Sequence, residues 1–174
     1  MRAPFPIAAL VTTLALTACA GHSPPPLRAT VALEPRSGSN VSGRVELAES
    51  KGQLRAHVEL TGLEANSEHG FHVHEKGDCS APDASSAGGH FNPFGTAHGH
   101  AGIPPHHAGD LPSLIADSRG RVNADLVLEG LTLGAGTTSI AGRSLVVHRD
   151  RDDFTTQPAG NAGPRLACGV LTVH

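Results

Sequence analysis

The sequence predicts an all-β domain: an antiparallel Greek-key β-sandwich or flattened barrel of about eight strands, carrying two long functional loops. Short runs alternate apolar and polar residues with period two or concentrate β-branched ones, and clusters of Gly, Pro, Ser and Asp separate them. No amphipathic helical pattern of useful length interrupts this rhythm.

Along the 174-residue chain, Met1-Arg2 precedes an apolar stretch, residues 7–16, too short to span a bilayer as a helix. It reads as an export signal. Leu16-Thr17-Ala18-Cys19 resembles the lipobox of bacterial lipoproteins, in which cleavage leaves the cysteine as a lipid-bearing first residue. Residues 1–18 are therefore expected to be a lipoprotein signal peptide, with Cys19 the lipidation site. That implies an exported protein of the periplasm or cell envelope, held to a bacterial membrane through its N-terminal lipid only. Residues 19–28 contain Pro24-Pro25-Pro26, which favours extended polyproline conformation and reads as a tether. Residues 29–174 then form one domain.

Within it, strands are expected at residues 30–33, 41–47, 54–60, 70–74, 122–128, 144–148 and 167–173. Breakers at 34–38, 49–52 and 117–120 separate several of them. Two irregular stretches, 76–112 and 149–164, exceed ordinary connections, and their contents favour function.

Acidic residues number 16 against 13 basic, a net charge of −3, so nothing suggests a nucleic-acid partner. Of three cysteines, Cys19 goes to the lipid. Cys79 and Cys168 remain as a disulfide pair in an oxidising destination.

Metal chemistry is written most densely in Gly70-Phe71-His72-Val73-His74. Histidines two apart on a strand project from one face and can approach one ion, copper or zinc. The first loop adds His90, His98, His107 and Asp110 among glycines and prolines that let the backbone fold tightly. His90, His98, His107 and Asp110 offer three imidazoles and a carboxylate, the donor set of a closed tetrahedral zinc site. His148, at a strand end, can complete His72, His74 and His90 as a fourth nitrogen ligand.

These phrases, with residues 86–93, 107–111, 142–148 and 160–169, resemble the copper/zinc superoxide dismutase family over essentially the whole span from residue 30 to 174. Members of that family share the sandwich architecture, so the resemblance implies the same fold class as the strand pattern. It implies copper on His72, His74, His90 and His148, and zinc on His90, His98, His107 and Asp110, with His90 bridging as an imidazolate. It implies superoxide as substrate, disproportionated to oxygen and hydrogen peroxide by alternating Cu(II)/Cu(I) reduction and oxidation, with His90 taking up a proton when copper is reduced. Zinc would be structural and electrostatic. Asp152 resembles the family aspartate that hydrogen-bonds a ligand histidine at each metal. Arg165 matches the arginine that guides the anion beside the copper channel.

Departures are visible too. The second loop is shorter than in eukaryotic members and holds no lysine, so steering is expected to be weaker. His100 and His106 lie beside the zinc residues and compete with His98 and His107 for that role. His22, His57, His69 and His174 read as surface or tail residues. The competing function is a non-enzymatic copper/zinc-binding or buffering lipoprotein. The domain can be a homodimer or a monomer.

Overall fold

Alternation dictates the first strands. In β1 (Leu27–Pro35), Ala29, Val31 and Leu33 point inward while Arg28, Thr30 and Glu34 face out. β2 (Ser42–Ser50) buries Val45 and Leu47, and β3 (Gln53–Thr61) buries Leu54, Ala56, Val58 and Leu60. Lys51 and Gly52 both take positive φ, 52° and 74°, which matches the twist a two-residue hairpin needs between β2 and β3. The computed structural model describes residues 25–174. The expected signal peptide and the expected lipidation site Cys19 lie outside the described residues.

The remaining strands are β4 (Glu68–His69), β5 (Phe71–His74), β6 (Leu114–Ile115), β7 (Val122–Leu128), β8 (Ser144–His148), β9 (Arg165–Val170) and β10 (Thr172–Val173). Among the described residues, helix is limited to a single 3₁₀ turn at Ser85–Ala87. Eight strands form one antiparallel sheet, ordered β5-β8-β9-β1-β2-β3-β7 with β10 beside β1, while β4 and β6 pair separately. β1 is where the sheet curls: Ala29 pairs with Val173, whereas Glu34 pairs with Cys168 of β9. Non-sequential neighbours such as β5-β8 and β9-β1 are the crossovers expected of the Greek-key class.

Several strands differ in extent from the sequence expectation. β1 runs longer because its outward Arg28 and Glu34 still join the ladders. The run 167–173 divides into β9 and β10 at Leu171, whose side chain is buried and whose N–H bonds the Arg143 carbonyl. β4 and β6 are too short to leave a pattern in sequence.

β5 and β8 are buried on both faces, unlike β1 to β3. Phe71, Val73, Leu145 and Val147 enter the main core, and burying each stabilises the fold by roughly 1.5–3 kcal/mol. On the opposite face lie His72, His74, Val146 and His148, covered by the long loops. Period two thus separates hydrocarbon from imidazole within two short strands.

The first loop is stitched to β5. Val73 N–H bonds the Gly109 carbonyl at 2.9 Å, Phe91 N–H bonds the Val73 carbonyl at 2.8 Å, and Gly109 N–H bonds the Phe91 carbonyl at 2.8 Å. A side chain at Gly109 would collide with the Val73 carbonyl, so only glycine closes this ring. Cys79 and Cys168 form the disulfide, with Cα atoms 5.8 Å apart, tying the same loop to β9.

Candidate metal centre

Two groups of buried side chains converge on the loop-covered face. His72, His74, His90 and His148 present donor atoms that all lie within 4.8 Å of one another, and His90, His98, His107 and Asp110 do the same. β5 supplies His72 and His74, β8 supplies His148, and the stitched loop supplies the rest.

Hydrogen bonds on the far side of each ring decide which atom faces inward. His74 Nδ1 donates to the Gly88 carbonyl at 2.9 Å and His148 Nδ1 donates to the Gly163 carbonyl at 3.1 Å. Carbonyls only accept, so both Nε2 atoms carry lone pairs. These face each other at 3.3 Å, an arrangement that a cation resolves. His72 donates from Nε2 to Asp152 Oδ2 at 2.7 Å, which leaves Nδ1 unprotonated; that atom is buried without a hydrogen-bond partner. His90 Nε2 is likewise buried and unpartnered.

The second group repeats this logic around a carboxylate. Asp110 Oδ2 accepts the backbone N–H groups of His107 at 2.8 Å and Gly99 at 3.1 Å, turning Oδ1 toward the ligand rings. Nδ1 of His90, His98 and His107 lie 2.9, 3.0 and 3.5 Å from that oxygen. His98 donates from Nε2 to Asp152 Oδ1 at 2.9 Å and from Nδ1 to Asp110 Oδ1, and the Nδ1 proton is the one a metal would displace. Asp152 therefore holds one ring of each group. Donor chemistry of this kind, nitrogen-only on one side and nitrogen plus one carboxylate on the other, fits copper and zinc respectively.

The copper/zinc superoxide dismutase family profile matches residues 41–171. The chain belongs to this family. A copper/zinc superoxide dismutase of Deinococcus radiodurans is 40% identical over 178 residues, covering 93% of this chain and 92% of the relative. Superoxide dismutase [Cu-Zn] 2 of Aquifex aeolicus is 40% identical over 135 residues, covering 75% of this chain and 79% of the relative. The crystal structure of a superoxide dismutase-like protein from Bacillus subtilis superposes with TM-score 0.75 at 36% identity, over 82% of this chain and 97% of that one. As a family member, the chain takes copper and zinc as its cofactors.

Burial sets the charge state of this dismutase-family centre. It depresses His74 and His148 well below the ordinary imidazole value and His72 to about 4. His98 goes the other way: burial opposes its charge, but hydrogen bonds to Asp110 and Asp152 outweigh it and raise the pKa to about 9. Asp110 and Asp152 resist burial in turn, because hydrogen bonds from the rings hold both carboxyls well below the usual carboxylate range.

Arg165 reaches the face of His148 through a bulge. Val147 pairs with Ala167, but His148 pairs with Arg165, so Leu166 is the extra residue and packs against the core. The guanidinium donates to the Ala84 carbonyl at 2.6 Å and the Gly88 carbonyl at 2.7 Å. A cleft of about 260 Å³, lined by His148, Gln157, Ala159, Asn161 and Gly163, opens beside this face.

His69 is misread in sequence. It is 2% exposed, not a surface residue: Nδ1 donates to the His148 carbonyl at 2.9 Å and Nε2 meets the Ser67 hydroxyl. Its partner carbonyl is 79 residues away, beyond any local signal. His174 is exposed as expected, His57 is half-buried on the outer face of β3 and pairs with Asp125, and His22 lies outside the described residues. His100 and His106 do not join either donor group. His100 donates to the Ala101 carbonyl and rests on Phe154, and His106 donates to the His107 carbonyl. Gln157, which sequence reasoning missed, bonds the backbone of His98.

Proposed function

We propose that this centre disproportionates superoxide to oxygen and hydrogen peroxide. Copper is held by His72, His74, His90 and His148, zinc by His90, His98, His107 and Asp110, and His90 is shared. The observation that carries the reading is the His90 ring: Nδ1 turned to Asp110, Nε2 unpartnered on the other side, one imidazole between two donor groups. Bound copper supplies one-electron acceptance and return, which superoxide dismutation needs.

The chain's own residues do the rest. Arg165, fixed by two carbonyls, offers a forked cation to a small anion near the rings of His74 and His148. His90 can hold a proton on Nε2 while Nδ1 remains oriented by Asp110, placing a donor where peroxide forms. Asp152 fixes the rings of His72 and His98, and burial under the loops excludes bulk water.

Purified protein assayed for copper, zinc and superoxide decay tests this. His148→Ala should lose copper and activity while largely retaining zinc; full activity in copper-depleted protein would reject the mechanism. A second reading, copper and zinc binding without turnover, draws on the Bacillus subtilis relative named superoxide dismutase-like. Under it, fully loaded protein shows no decay above background. Export and lipidation at Cys19 belong to the same proposal, and the intact mass of membrane-isolated protein tests them.

A further inference from the structure

Gln157 spans the two long loops. Its Oε1 accepts the His98 backbone N–H at 2.8 Å, and its Nε2 donates to the His98 carbonyl at 3.0 Å and to the Thr155 carbonyl at 3.3 Å. One side chain thus satisfies both main-chain polar groups of a ligand histidine, as a neighbouring β-strand would. The same loop grips the His98 ring from Asp152, five positions earlier in the chain.

Gln157 is itself held. Asp153 accepts the backbone N–H groups of Thr155 and Thr156 at 2.9 and 2.8 Å, and the Thr156 hydroxyl at 2.6 Å. Gly160 N–H bonds the Thr156 carbonyl and Asp153 N–H bonds the Gly160 carbonyl, closing a tight turn from which Gln157 projects. Phe154, left-handed at φ 59°, donates its N–H to Asp152 Oδ1 and sets its ring against His100 of the first loop. Phe154 and Gln157, both just after Asp152 in the chain, therefore anchor its loop to the 98–100 segment.

We propose that Gln157 is a positioning residue, registering the 149–164 loop on the backbone of His98 so that Asp152 reaches His72 and His98 together. Asp152 must meet two rings from one carboxylate, at 2.7 and 2.9 Å, so a small slip of one loop against the other breaks one of these bonds. Zinc held through His98 then orders the segment that carries Gly163, whose carbonyl orients His148. The inference rests on the two-metal reading of the centre and holds whether or not the centre turns over superoxide.

The test uses the full chain with its metals. Zinc affinity is measured by chelator competition, the copper(II) site by its EPR spectrum, and the His98 amide by hydrogen exchange. Gln157→Ala should weaken zinc roughly 10- to 100-fold, the usual effect of removing an outer-shell partner. It should also shift the copper spectrum as His72 loses its fixed orientation, and speed His98 amide exchange. Gln157→Glu keeps the acceptor and loses the donor, so its zinc affinity should fall between wild type and Gln157→Ala. Wild-type zinc affinity and an unchanged copper spectrum in Gln157→Ala overturn the proposal. If that variant does not fold, a His98 amide in the wild-type protein that exchanges as fast as the Arg151 amide overturns it equally. Failure of the two-metal reading is distinguishable: His98→Ala would then bind zinc as tightly as wild type.

Discussion

A single imidazole can sit in this centre in opposite states depending on its neighbours. His74 and His148 are buried against carbonyls and against each other, so in metal-free protein they are neutral at pH 7 and their lone pairs are free. His98 lies between two carboxylates and, with its pKa raised to about 9, carries a proton that zinc must displace. Zinc affinity should therefore strengthen as pH rises toward that value, and calorimetry in buffers of different ionisation enthalpy should find about one proton released per zinc near pH 7. Copper added to zinc-free protein should release fewer, because His90 keeps its Nδ1 proton toward Asp110, and equal release for the two metals, each added alone to metal-free protein, would contradict this assignment of charge. The two groups of donor residues were legible in sequence, because strand period two and the density of histidines in one loop are local signals. His69 and Gln157 were not, since each owes its role to a main-chain group of a distant segment.

At the level of the element, β9 departs most from what its sequence suggests. Counting back by twos from Ala167, a core residue, would send Arg165 to the core as well; the extra Leu166 reverses that phase and delivers the guanidinium to the face of His148. A bulge leaves no mark in a hydrophobic pattern, so the arginine's placement was available only through family resemblance. Strand assignments from alternation succeeded where one face meets solvent, as in β2 and β3, and lost their ends where outward polar residues continue the ladder. Two positions along from the core residue Leu166, Cys168 is tied to Cys79 across a sequence separation of 89. Cys168→Ser should lower the stability of the metal-free protein by about 4 kcal/mol, if the bond acts by restricting the unfolded chain. Urea unfolding checks this, and a loss below about 1 kcal/mol would show that the loop's stitching to β5 carries that stability instead.

Taken as one object, the polypeptide's own net charge of −3 would repel a monoanion, and two bound divalent ions offset most of it. Attraction must come from local placement of positive charge, and Arg165 is half-buried beside the copper-side rings. In wild type, kcat/KM should fall as salt rises. Arg165→Ala should reduce kcat/KM about tenfold at low ionic strength and flatten the slope, because less local attraction is then left to screen. Stopped-flow superoxide decay across an ionic-strength series measures it, and an unaltered slope would remove Arg165 from guidance. The Gly88 carbonyl accepts from both His74 and Arg165, at 2.9 and 2.7 Å. One peptide oxygen is thus a common pivot. When thermal drift tilts that loop, lure and target swing together, and the approach path keeps its aim without the surface around it having to stay still.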